Sequence, residues 1–106
     1  MSDQTLTVGR IVHYRLSEDD GYQVNRRRTS GAAIAERLPL GTWPTGAQAH
    51  IGNFVFTGDT FPMVIVRVDP DKGVNGQVFL DGTDVLWVSM VSEGDAPGTW
   101  QWPPRV

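Results

Sequence analysis

The chain has 106 residues, with twelve glycines, seven prolines, no cysteine and a formal net charge of −3. That length suits one domain, residues 1–106, around a single core, and the lack of cysteine excludes a disulfide framework, thiol chemistry and a cysteine-ligated zinc. Residues 10–37 carry six arginines against four acids, whereas 38–104 carry only Arg67 and Lys72 against seven acids, a balance that suits a local anion site better than the broad basic face of a duplex binder.

In chain order, MSDQTLTVGR has neither a basic n-region nor an apolar h-region, so no signal peptide is expected, and residues 1–7 read as flexible. GRIVHYRL, residues 9–16, alternates and predicts a strand with Val12, Tyr14 and Leu16 inward. Ser17 before Glu18, Asp19 and Asp20 resembles a capping box and predicts a helix over 18–28, ending in Arg26, Arg27 and Arg28. AAIAERL, 32–38, suggests a further helical turn, and the Gly/Pro-rich stretch 39–58 reads as a long irregular insertion holding one short strand. Three strands follow as an antiparallel meander over 61–91: the near-continuous apolar run MVIVRV, read as a buried strand, then VNGQVFL and VLWVSMV, joined by DPDKG and a tight DGTD turn. The fold class is therefore mainly β with one short helix (α+β), a small SH3-like, partly open barrel or roll.

Several side chains invite a chemical reading. Arg26, Arg27 and Arg28 could offer guanidinium forks to phosphates, joined by Arg10 or Arg15. Successive helical residues diverge by about 100°, so at most two can share a site. The plainer reading pairs them with Glu18, Asp19 or Asp20. His13 could touch an anion or be a half-exposed structural residue. Trp43, His50 and Asn53 lie close together in the irregular stretch and could read a base edge or plug the core. Trp100 and Trp102 share a face if the tail is extended, and Pro103 and Pro104 stiffen it. The pair could close the core, form a subunit interface or stack on a base. Leu80-Asp81-Gly82 followed by Asp84 invites an acid–base reading, but Asp-Gly between two apolar strands is first a hairpin signal. No nucleophile triad, P-loop, HExxH or EF-hand pattern occurs, so no enzymatic activity is expected. His13 and His50 are too few for a zinc site of three or four ligands, and no metal or cofactor is expected. No apolar stretch reaches the roughly 20 residues that cross a bilayer.

GRIVHYRL, NRRR, GAQAHIGN, FPMVIVRV, VNGQVFLDGTDVLWV and EGDAPGTWQWPPRV together resemble a family of small proteins of tailed bacteriophages and prophages. That family carries a V-H-Y strand, a valine-rich meander with L-D-G and a closing G-T-W-x-W-P, and the resemblance spans about residues 8–106. It implies phage origin and expression in the host cytoplasm, and it brings no catalytic residue set. By analogy with phage proteins that soak up nucleotide signals of immune systems such as CBASS and Thoeris, the expectation is a non-enzymatic, homo-oligomeric anti-defence protein. It would bind a cyclic oligonucleotide or ADP-ribose derivative through Arg10, His13, Arg15, Arg26, Arg27, Arg28, Trp43, His50, Asn53, Trp100 and Trp102. The alternative is a small virion or assembly component acting through protein contacts. Neither expectation includes a membrane or duplex nucleic acid as partner.

Overall fold

The computed structural model describes residues 5–29 and 50–104. The helical turn expected at 32–38, Trp43 and the part of the irregular insertion before residue 50 lie outside the described residues. The described elements are β1 (Ile11–Arg15), α1 (Glu18–Arg26), β2 (Arg28–Thr29), β3 (His50–Ile51), β4 (Thr60–Asp69), β5 (Gly73–Phe79), β6 (Val85–Val91) and β7 (Trp100–Gln101). Five of the strands form one sheet in the order β6-β5-β4-β1-β7, and every neighbouring pair is antiparallel. The sheet is not closed, so the fold is an open roll rather than a barrel. A separate pair, β2 with β3, runs parallel.

The alternation read in β1 sets the core. Val12, Tyr14 and Leu16 are buried, and the register carries that face onto Met63 and Ile65 of β4, then Val74 and Val78 of β5 and Leu86 and Val88 of β6. Gly76 leaves space on this face: a Cβ there would lie 2.6 Å from Met63 Cγ and 2.8 Å from the Val64 carbonyl. Trp100 enters the same core and Trp102 packs against it, so the tail forms a fifth strand on the far edge of β1.

The helix starts as the sequence suggested and stops earlier. Asp20 N–H donates to Ser17 Oγ at 3.1 Å while Ser17 N–H donates to Asp20 Oδ2 at 3.0 Å, a reciprocal cap with aspartate in the glutamate position. The helix ends at Arg26. Arg27 is its C-cap and Arg28 is already in β2, so the expected limit of residue 28 moves back by two. Val24 is the helix's buried apolar side chain, and Tyr22 points outward. Asn25 docks the following loop: its Nδ2 donates to the Val55 carbonyl at 2.9 Å and its Oδ1 accepts from Val55 N–H at 2.8 Å.

Two other expectations change. MVIVRV is not buried throughout: Met63 and Ile65 face the core, whereas Val66 is exposed at a bulge between Ile65 and Arg67. A strand buried on both faces needs cover on both, and the described core lies on one. The expected tight turn at DGTD is a longer connection, Leu80 to Asp84, between the ends of β5 and β6. A second bulge, between the pairs Val74–Val91 and Gly76–Val88, puts Met90 at φ 54° and turns it outward, where its N–H is held by Asn75 Oδ1. Of the residues expected to be flexible, Leu6 packs against the core.

Gly76→Ala is expected to destabilise the fold by about 1–3 kcal/mol, because the Val64 backbone cannot move aside as a flexible side chain would. A urea titration of the two proteins, read by circular dichroism, measures this as a lower midpoint at unchanged slope.

Tyr14 gives a second test. Its burial, then its hydrogen bond to Asp20 and that carboxylate's charge, push the phenol well above its usual value near 10. A raised folded pKa means that the protonated phenol's contribution is whole below the unfolded value. It is lost as pH climbs above about 10 toward the folded value. The stability of the parent relative to Tyr14→Phe should therefore hold steady up to about pH 10 and fall beyond it, as measured by paired urea titrations along a pH series.

Candidate functional site

The fold draws some of the sequence-derived candidates into one corner and scatters the rest. The corner forms where the end of α1, the β2–β3 pair and the β5–β6 connection meet. Arg28 approaches Asp84 Oδ1 at 2.6 Å, with the arginine side chain wholly buried and the aspartate side chain 5% exposed. Arg27 lies 3.0 Å from Asp84 Oδ2 from a position about one third exposed. Asn53 Nδ2 donates to Asp81 Oδ2 at 2.8 Å, and Asn53 N–H donates to the Asp81 carbonyl at 3.1 Å. Gly52 bridges Gly82, and the backbone of His50 pairs with Arg28 across β2 and β3.

The chemistry of this corner is internal. One carboxylate is shared by two guanidiniums, so Arg27 and Arg28 meet an acid of the chain itself. That acid is Asp84, not the helix-start acids Glu18, Asp19 or Asp20 that sequence proximity suggested. The spacing along the chain, 56 residues between Arg28 and Asp84, hides the pair from local pattern reading. The one available signal was a second acid just after the hairpin's Asp-Gly.

The other candidates stand elsewhere. Arg26 is exposed, its guanidinium 5.6 Å from the centroid of the Tyr22 ring. His13 and Arg15 project from β1 on the side away from the core. His13 is in register with Pro62 and Gln101, and Arg15 Nη1 donates to the Asp95 carbonyl at 2.8 Å. Arg10 is exposed just before β1. Trp100 is buried and meets Trp102 edge to face, with centroids 5.6 Å apart. This pair lies on the core side of the sheet, while His13 lies on the other. Of the three uses open to the tail tryptophans, Trp100 takes the first, filling the chain's own core.

A cleft of about 310 Å³ opens between the β4–β5 turn and the start of the tail, lined by Asp69, Asp71, Lys72, Glu93 and Trp100 among others. Its three acids against one lysine make it a poor receptacle for phosphates. Among the described residues, no group of three or more His, Asp or Glu could hold a metal ion, and no helix is long and apolar enough to cross a membrane.

One feature of the sheet is not among the sequence-derived candidates. On the face of the sheet away from the core, Ile11, Val64, Gln77 and Trp87 form one row across β1, β4, β5 and β6. Phe79 and Val85 form a neighbouring pair. Ile11, Phe79 and Trp87 are 56%, 47% and 50% exposed. The signal was present: in β1, β4 and β6 both alternating sets of residues contain large apolar side chains, which a sheet wetted on one face does not require.

No protein-family model, curated protein or solved structure matches the chain.

Asp84→Ala removes the carboxylate that faces the buried Arg28 guanidinium at 2.6 Å, so a loss of about 3–5 kcal/mol is expected. Arg27→Ala breaks the more exposed arm and should lose less than about 1 kcal/mol. Thermal and urea unfolding of the two variants measure the contrast, and equal losses would contradict the assignment of Arg28 as the buried arm.

Proposed function

We propose that this protein is a small non-enzymatic module that works through protein–protein contact made by the open face of its sheet. In the setting its sequence resembles, that is a virion or assembly component of a tailed phage, made in the host cytoplasm. The observation that carries this reading is the apolar outer face. Single exposed apolar residues are ordinary, whereas several large ones gathered on one sheet face favour a contact surface. Trp87 and Phe79, aromatic and half exposed, are the kind of side chain that dominates interface energetics.

The second reading, sequestration of a nucleotide immune signal by a homo-oligomer, has one observation in its favour. Arg26 and Tyr22 are both exposed and stacked on the helix, offering a cation and a ring to a phosphate and a base. It is the weaker reading because Arg27, Arg28 and Trp100 are engaged within the fold.

Two experiments separate the readings. Particles purified from a producing host are expected to contain the parent protein and to lack a Trp87→Glu variant that still folds. A heat-shift series against cyclic di- and trinucleotides and ADP-ribose derivatives is expected to show no stabilisation. A ligand at 100 times its Kd would stabilise by about 2.7 kcal/mol. Such a shift, lost in Arg26→Ala, together with absence from particles, would overturn the contact reading in favour of sequestration.

A further inference from the structure

We propose that the occupant of the outer sheet face is a second copy of this chain, so that the working unit is a face-to-face dimer with the two sheets stacked as a sandwich. This inference rests on the contact reading and names the partner.

Three features of the face point to a copy of itself. The first is size. The five strands run from two residues in β7 to ten in β4, and a mean of about six residues rising about 3.3 Å each, across five strands spaced by about 4.8 Å, gives a face of roughly 20 by 24 Å, about 490 Å² in plan. Side-chain relief adds to that figure, which brings it toward the roughly 800 Å² per partner of a standard interface. The face is thus large enough for a dimer to form, and it is not so large that the monomer could not exist.

The second is chemistry. The central row, Ile11, Val64, Gln77 and Trp87, holds no formal charge, and neither does the Phe79–Val85 pair. The arginines of this face, Arg15 in register with Thr60 and Arg67 in register with Asn75, stand toward opposite ends of β4. A two-fold axis through the centre superposes apolar on apolar and keeps these cations at the rim. An isologous interface needs only that one patch complement itself, and an uncharged apolar patch meets that requirement more simply than a charged one. Two such faces pack at about 10 Å separation, as in sandwich folds.

The third is the state of the sheet edge. β6 is an edge strand, and a second copy could in principle extend the sheet there by backbone pairing. The bulge that turns Met90 to φ 54° interrupts the regular ladder two residues beyond Val88, and bulges of this kind obstruct edge-to-edge pairing. Trp87 is directed at the face, in register with Gln77. The bulge shortens the ladder that an added strand could use to the stretch from Val85 to Val88, whereas face packing is unaffected by it.

The test uses the full chain. Light scattering coupled to size exclusion, over a wide range of protein concentration, should give twice the monomer mass at the upper end. Trp87→Lys and Ile11→Lys, which lie in one row on β6 and β1, should each return the monomer mass with an unchanged far-ultraviolet spectrum. Phe56→Lys, at a 72% exposed position in the loop before β4, serves as the control and should remain a dimer. If one row variant fails to fold, the other carries the test. A parent protein that is monomeric at every concentration overturns the dimer, as does a dimer that survives both row substitutions. The same variants distinguish this failure from failure of the contact reading. A monomeric parent whose incorporation into particles still requires Trp87 keeps the face as a contact and assigns it to another occupant, a different protein or residues 30–49. A monomer whose incorporation is indifferent to Trp87 overturns both.

Discussion

Arg28 and Asp84 hold a buried ion pair at the one place where the helix end, the β2–β3 pair and the β5–β6 connection converge. Taking both charges out of water costs several kcal/mol per ion, and the attraction between them offsets this only in good geometry with further polar contacts. The 2.6 Å approach and the second guanidinium of Arg27 supply such geometry. The pair adds little to net stability, and removing one partner costs far more than the pair contributes, because it strands the other charge in the interior. Gly52 follows from it: a Cβ there would collide with the Arg28 guanidinium and the Asp81 carbonyl, so the loop passing over the pair can carry no side chain at that point. Asn53 then ties the same loop to Asp81, and Asn25 ties its continuation, at Val55, to the helix.

The corner explains why the helix is short. The capped first turn fixes where α1 begins, and Arg28 must leave the helix to enter β2 beside the backbone of His50. Nine residues contribute one fully buried apolar side chain, Val24. The helix therefore covers only part of the sheet, and the core is completed by Val55 of the loop and Trp100 of the tail. One face is closed by several small contributions, and the other keeps Ile11, Phe79, Val85 and Trp87 partly exposed to solvent.

The parts of this arrangement that depend on local periodicity were legible in the sequence. The inward set Val12, Tyr14 and Leu16, the Ser17 cap and the three-strand meander each follow from side chains within a few positions of one another. The packed tail was legible as a question, since its aromatic residues were visible and their destination was not. Contacts between distant residues were not legible. Arg28 meets Asp84 because of how the sheet returns the chain, and no window of sequence contains both. MVIVRV misled for a related reason: a continuous apolar run does not say whether the chain covers its second face, and Val66 is exposed. Residue type alone singles out the candidates for an anion site, and it leaves the fold free to pair two of the arginines internally, bury one tryptophan and place His13 on the opposite face.

The two faces of the sheet differ in what a substitution disturbs. Substitutions on the inner face act through packing, and those at the corner act through charge burial; both change the stability of the fold. On the outer face the side chains are already half in water, so replacing them with polar groups forgoes little burial in the isolated chain. Places where a sequence departs from the pattern that folding alone would ask for tend to be functional. Here the departure is Ile11, Val64, Phe79, Val85 and Trp87 standing where an ordinary half-wetted sheet would carry polar residues. Folding rests on the inner face and the corner, and those five side chains lie outside the core cluster that holds the sheet together.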